Sequence, residues 1–262
     1  MRLHTDHGFV DNNNLLHDLK TLLAGGTSAG TLQLATQPIV STSSMLPAGV
    51  EALSRWHHPQ HGLIPASVFV PLLEIAGLAP IFDTHMLQQG LKLEPQILES
   101  YRIWFNISAA TLQENPDPIL TLIKAFPLGR VGVELTETYP IVDRDIIKTS
   151  LEQLRHQGVM VALDDFGTGW GSLRNLTELP FDVLKIDRET LLWADHNNDQ
   201  RIITALVDLA DTFNASVTIE GVETSNQSQL ALMSGCTFMQ GFYIAKPTLA
   251  PTITPQPALA AT

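Results

Sequence analysis

Short apolar runs recur along the chain, and eight of them place a polar or acidic residue at or near a common end. The runs are Leu32–Val40, Gly49–Trp56, Ile103–Ile107, Val131–Leu135, Val159–Leu163, Val183–Ile186, Ser216–Ile219 and Phe238–Ile244. Their length and their content of branched and aromatic residues predict strands. Amphipathic stretches lie between them, such as Ile146–His156 and Gln200–Phe213, and their spacing predicts helices. A first helix is predicted from Asn13 to Leu23, capped by Asn12 or Asn13 and ended by Gly25-Gly26. The segment joining the first two strands is short and rich in Ser and Pro. It cannot make a parallel crossover, so this pair is expected to be antiparallel. The rest alternates strand and helix, which predicts a parallel sheet. The expected fold is α/β, a TIM-like (β/α)8 barrel with an antiparallel first strand. A doubly wound open sheet is the alternative, but it gathers polar groups at one crevice rather than from every strand.

The polar residues at the strand ends are Gln37, Glu51, Asn106, Glu134, Asp164 with Asp165, Lys185 with Asp187, Glu220 and Gln240. In a barrel, the C-terminal strand ends converge on one mouth, where catalytic groups come from several strands. Each residue alone has a plain reading. Glu51 and Arg55 can be an ion pair, Asn106 a turn former, Asp164-Asp165 a solvated turn, and Lys185-Asp187 a buried pair on one strand face. Together they form a set of oxygen donors with one lysine, suited to divalent metal and a phosphate ester. Adjacent aspartates repel each other, and a cation relieves the repulsion. Phe242 and Tyr243 offer rings on which a base can stack.

The length of 262 residues suits one barrel, and no attached sensor or cyclase domain is expected. Residues 1–12 are expected to be a loose N-terminus, 13–247 the domain, and 248–262 a flexible tail rich in Pro, Ala and Thr. The net charge of -12 argues against nucleic acid as a partner. A small phosphorylated ligand remains compatible, because bound metal reverses the local sign. One cysteine, Cys236, permits no intrachain disulfide and reads as a small buried hydrophobe. The most apolar window, Val68 to Phe82, is broken by Glu74 and two prolines, so no membrane span is expected. The N-terminus has no apolar signal core. A cytoplasmic location is expected.

Several motifs are set aside. Gly167-Thr168-Gly169-Trp170-Gly171 follows two aspartates, which repel a pyrophosphate. His17-Asp18 lies in a helix without partners for a metal-dependent phosphohydrolase. His57, His58 and His61 sit beside Pro59 and Gly62, which suggests an exposed turn rather than zinc.

The motifs Gln37-Pro38-Ile39-Val40, Glu51-Ala52-Leu53-Ser54-Arg55-Trp56, Asn106-Ile107-Ser108, Glu134-Leu135-Thr136-Glu137, Asp164-Asp165-Phe166-Gly167-Thr168-Gly169, Lys185-Ile186-Asp187, Glu220-Gly221-Val222-Glu223-Thr224 and Gln240-Gly241-Phe242 follow in one order. From about Leu15 to Pro247 the chain resembles the EAL domain, the phosphodiesterase that opens cyclic di-GMP to linear pGpG. The resemblance implies two Mg²⁺ or Mn²⁺ ions, with Ca²⁺ inhibitory. Glu51, Asn106, Glu134 and Asp164 are expected to hold the first ion, and Asp164, Asp165 and Glu220 the second. It implies that Lys185 orients the attacking water. Glu220 is either general base or purely a ligand. Glu137 is expected to tether the loop from Asp165 to Leu173, and Asp187 to belong to the catalytic set. Gln37, Leu53, Arg55, Gln240 and Phe242 are the expected substrate contacts. A homodimer and a regulatory protein partner are also implied. The chain departs from the family at Thr36, His85, Trp170 and Gly171, none of which is an expected ligand. The alternative is a non-catalytic cyclic di-GMP receptor or a protein-interaction module.

Overall fold

The computed structural model describes residues 2–5, 8–136, 141–166 and 173–249. A small hairpin, β1 (Arg2–Thr5) and β2 (Gly8–Asp11), leads into α1 (Asn12–Leu23). Then come β3 (Thr31–Ser41), β4 (Pro47–His58), β5 (Gly62–Ile64), α2 (Ala66–Ile75), α3 (Ala79–Gly90) and α4 (Pro95–Ser100). The middle of the chain forms β6 (Arg102–Ser108), α5 (Ala109–Glu114), α6 (Asp117–Ile123), β7 (Val131–Thr136), α7 (Arg144–His156) and β8 (Met160–Phe166). It ends with α8 (Leu173–Glu178), β9 (Val183–Ile186), α9 (Arg188–Asn197), α10 (Arg201–Asp211), β10 (Ser216–Ile219), α11 (Ser225–Met233) and β11 (Phe238–Met239).

Eight strands close into a barrel in the order β3, β11, β10, β9, β8, β7, β6, β4, with β4 returning to β3 and β5 appended to β4. Only β3 runs against its barrel neighbours: it pairs antiparallel with both β4 and β11. The short Ser/Pro connection therefore made the turn expected of it. In the hairpin of Arg2–Asp11, Leu3 lies opposite Val10 and His4 opposite Phe9. β11 is shorter than the predicted run to Ile244. Beyond Gln240 the backbone turns, with Tyr243 N–H donating to Val222 and Ile244 N–H to Gly241.

The main core lies between the barrel wall and its helices, built from residues such as Ile103, Phe105, Val133, Leu151, Leu184 and Ile219. Inside the barrel, Ile39, Trp104, Ala162 and Val183 pack together. Gly132 makes room for the indole, since a Cβ there would lie 2.3 Å from Trp104. A second apolar cluster, including Leu15, Leu19, Leu32, Trp56, Phe69 and Phe82, secures the helices before β6 against the β3–β4 extension. The indole N–H of Trp56 donates to the Ala29 carbonyl. These three clusters hold the strands in place while leaving the mouth of the barrel polar.

Candidate active site

Strand register brings the polar ends together. Gln37 lies opposite Glu51 across β3 and β4, and Asn106 opposite Glu134 across β6 and β7. The β8–β9 ladder shifts register between Leu163 and Phe166, across the paired aspartates. An irregularity of that kind re-aims a side chain out of the regular alternation.

Lys185 is the centre. Its ammonium lies 2.7 Å from Glu134 Oε2 and 3.0 Å from Asp164 Oδ1, and it also contacts Glu220 Oε1. Glu51 stands in a second network. Its Oε1 accepts from Asn106 Nδ2 at 2.9 Å and its Oε2 from Gln240 Nε2 at 2.6 Å. The same Gln240 amide reaches Gln37 Oε1 at 3.1 Å, and Gln37 Nε2 donates to the Ala245 carbonyl at 3.0 Å.

The carboxylates do not ionise as equals. Burial pushes Glu220 up to about 8, against the pull of Lys185. Burial, then the charge of Glu51, raises Glu134 well above the ordinary carboxylate range. Burial also acts upward on Glu51, but Lys185 and the Asn106 and Gln240 hydrogen bonds outweigh it, and Glu51 lies low. Burial alone would lower Lys185; Asp164, Glu134, Glu220 and Glu51 instead hold it well above the ordinary lysine value. Four carboxylates thus share one ammonium in a desolvated site, and the unrelieved repulsion appears as protons retained.

That donor set fits a hard divalent cation. Asp164 Oδ1 and Glu220 Oε1 are buried, and although Lys185 is close to both, neither receives a properly directed hydrogen bond. All the acceptors are oxygens, the type that Mg²⁺ or Mn²⁺ prefers. Among the described residues no three His, Cys, Asp or Glu side chains already close on a common point. The Lys185 ammonium lies against Glu134, Asp164 and Glu220.

Two cavities meet at this site. One, of 390 Å³, is lined by Gln37, Glu220, Gly221, Gln240, Gly241 and Phe242, with Arg188 and Glu223 at its edge. The other, of 320 Å³, runs between β4, α2, α3 and β6 and is mostly apolar, with Glu74 and Asp83 among its walls. Glu51 and Leu53 line both. Phe242 is 54% exposed, with Lys246 over its ring at 5.5 Å.

Other residues took different positions. Asp187 is not on the strand beside Lys185, because β9 ends at Ile186. Its carboxylate caps α9, accepting from Glu189 N–H at 2.8 Å and from the Thr190 hydroxyl at 2.5 Å. Arg55 makes no ion pair with Glu51 among the described residues; it donates to the Ser54 carbonyl at 2.8 Å. Glu137 lies outside the described residues, as does the Asp165 side chain. His58 is buried rather than in an exposed turn. Its Nδ1 accepts from the Gln60 and His61 amides, and its Nε2 meets Asp18 at 3.1 Å. Sequence reading overlooked Arg188, which grips Glu223 at 3.0 and 3.2 Å. It also overlooked the buried acids Glu74 and Asp83; the signal for Glu74 was a carboxylate inside the most apolar window of the chain.

A family model described as the EAL domain matches residues 18–247. The chain belongs to the EAL domain family. This EAL domain is 36% identical over 243 residues to the bifunctional diguanylate cyclase/cyclic di-GMP phosphodiesterase MucR of Pseudomonas aeruginosa, covering 89% of the chain and 35% of MucR. It is 30% identical over 220 residues to the cyclic di-GMP phosphodiesterase PdeL of Escherichia coli K12, covering 80% of the chain and 61% of PdeL. The EAL domain therefore spans about a third of one relative and three fifths of the other. Among solved structures, the MucR phosphodiesterase in complex with c-di-GMP superposes with a TM-score of 0.78 at 34% identity, covering 90% of this chain and 97% of that one. The FimX EAL domain of Pseudomonas aeruginosa shares the fold at a TM-score of 0.80 and 20% identity, covering 93% and 100% of the two chains. No helix among the described residues of this EAL domain is long and apolar enough to cross a membrane.

Proposed function

We propose that this chain is a metal-dependent phosphodiesterase that hydrolyses cyclic di-GMP to linear 5′-pGpG. The observation that carries the reading is the burial of Lys185 among Glu134, Asp164 and Glu220, beside the Glu51–Asn106–Gln240–Gln37 network. Glu51, Asn106, Glu134 and Asp164 would hold one Mg²⁺ or Mn²⁺, and Asp164, Asp165 and Glu220 a second. When bound, such ions polarise a phosphodiester and acidify a water. Lys185 would orient the attacking water. Glu220 would serve either as a ligand of that second ion or as the general base, and the two roles exclude each other. Gln37 and Gln240 offer amide groups to the phosphates and ribose, and Arg55 offers a guanidinium. The two cavities meeting at Glu51 and Leu53 suit a ligand with a base on either side of its phosphates. Glu137 is assigned to tethering the loop that carries Asp165.

Incubation with cyclic di-GMP and Mg²⁺, with chromatographic resolution of products, tests the reading. The expected product is pGpG, abolished by excess chelator. Nucleotide binding without turnover would make the chain a receptor instead. Full activity in chelator would overturn the metal assignment.

A further inference from the structure

Arg188 opens α9, directly after the Asp187 cap, and its side chain crosses the loop that follows β10. A Cβ at Gly221 would lie 2.3 Å from Arg188 Cγ, 2.6 Å from its Cβ and 2.7 Å from its Cδ, so the stem rests on the Gly221 backbone. Gly221 has a φ of +70°, a left-handed conformation that a side chain there would also strain. The head of the arginine turns to Glu223, whose Oε1 accepts from Nη2 at 3.0 Å and from Nε at 3.2 Å. One side chain therefore holds two of the three residues between Glu220 and Thr224, the cap of α11.

The third of these residues, Val222, is fixed by the C-terminal stretch. Its N–H donates to the Gln240 carbonyl at 3.0 Å, and its carbonyl accepts from Tyr243 N–H at 2.9 Å. Glu220 itself is anchored to the end of β9. Its N–H donates to the Ile186 carbonyl at 3.0 Å, and its carboxylate meets the Lys185 ammonium. Lys185, Ile186 and Arg188 are thus successive anchor points along one short stretch: for the Glu220 carboxylate, for its backbone, and for the loop beyond it. The Arg188–Glu223 pair adds little to folding as such, since its side chains are 50% and 39% exposed. Arg188, Glu220, Gly221 and Glu223 also line the 390 Å³ cavity together, so a loop released from the arginine has open space beside it.

We propose that Arg188 is a positioning residue: by clasping Gly221 and Glu223 it fixes the Glu220 carboxylate against Lys185. It acts through the loop and not by contact with the reacting atoms. The catalytic consequence rests on the proposed hydrolysis; the clasp itself does not. A glycine left unclasped beside Glu220 gives that carboxylate a wider arc, and a misplacement of about 1 Å at a reacting group costs up to about a hundredfold in rate.

Arg188→Met keeps an apolar stem over Gly221 and removes the head. With cyclic di-GMP and Mn²⁺ it is expected to lower kcat by about tenfold or more and to leave KM within about twofold. Glu223→Ala should do the same, the double variant should be no slower than the worse single one, and Arg188→Lys should recover part of the rate. Arg201→Met, which breaks another exposed pair with Asp199, should leave kcat unchanged. A second measurement needs no turnover. In metal-free protein at about 1 M salt, charges more than ~3 Å apart are screened. There the melting shift caused by Glu220→Gln is expected to shrink by about half or more in the Arg188→Met background, whereas independent sites add. Additive melting shifts would overturn the proposal, as would an unchanged kcat in Arg188→Met or a raised KM alone. A parent that binds cyclic di-GMP without cleaving it would overturn the proposed function, while the melting cycle still decides the clasp.

Discussion

The buried Lys185 ammonium lies among the carboxylates of Glu134, Asp164 and Glu220, so removing it leaves them without their cation. Lys185→Met is expected to destabilise the metal-free protein by about 3–5 kcal/mol, the cost of breaking a buried pair. Added Mn²⁺ should restore more of the melting temperature in this variant than in the parent, because the oxygens then lack any other cation. Calorimetric melting with and without Mn²⁺ decides this. Asp83 carries a separate signature. Burial first, with Glu74 nearby, pushes its carboxyl up to about 7, although Thr111 and Ser108 donate to it. In the unfolded chain it titrates near 3.9, about the ordinary aspartate value. Below about pH 4 both states hold the proton and no stability is lost. Between about 4 and 7 only the folded state keeps it, so stability falls as pH rises, and the loss is complete above about 7. Asp83→Asn keeps an acceptor for Ser108 and cannot ionise. Its melting temperature should decline less over that window and exceed the parent's at pH 8; an unchanged slope would contradict the assignment. Neither this residue nor Glu74 was legible beforehand, because an acid in an apolar helix reads as an interruption. Asn106, Glu134, Asp164, Lys185, Glu220 and Gln240 were legible because each lies at or near the C-terminal end of an apolar strand, and Gln37 and Glu51 because each interrupts an apolar run.

Among the elements, α9 shows how a site residue can be structural. Asp187 accepts from the first turn of that helix, and the helix begins where β9 stops. Asp187→Ala should cost about 1 kcal/mol through the lost cap, with Asp187→Asn close to neutral, since asparagine caps equally well. If Asp187→Asn instead abolished turnover while melting normally, the residue would act in the chemistry as well. The sequence placed Lys185 and Asp187 on one face by assuming that the strand continued; a helix cap and a strand end use the same aspartate, and periodicity cannot separate them. β11 was overextended for a related reason. The run from Phe238 to Ile244 is apolar and aromatic, but Gln240-Gly241 turns against Val222, and tight packing of Gly241 on that backbone is invisible to hydropathy. The antiparallel β3 was legible because loop length is a covalent limit.

At the scale of the molecule, the barrel gathers more negative charge at its mouth than the fold alone tolerates, and a ligand that relieves it should stabilise the whole. Saturating Mg²⁺ or Mn²⁺ at one hundred times its dissociation constant adds about 2.7 kcal/mol. In a domain of this size that corresponds to a rise of roughly 5–10 °C in melting temperature. Chelator should reverse the rise, and Glu51→Ala with Asp164→Ala should lose it. A melting temperature indifferent to both ions would refute the fit of the site to metal. The closing joint of the barrel has a kinetic meaning. β11 meets β3 over only two residues, Val40 with Met239 and Ser41 with Phe238, which come from opposite ends of the chain. Contacts so distant in sequence form late, because loop closure must precede them. The parallel wall from β6 to β9 can assemble first as neighbouring units, with the cylinder sealing last. The mouth that holds Gln37 beside Gln240 straddles this joint, so the proposed nucleotide cleft is complete only once this late contact of folding has been made.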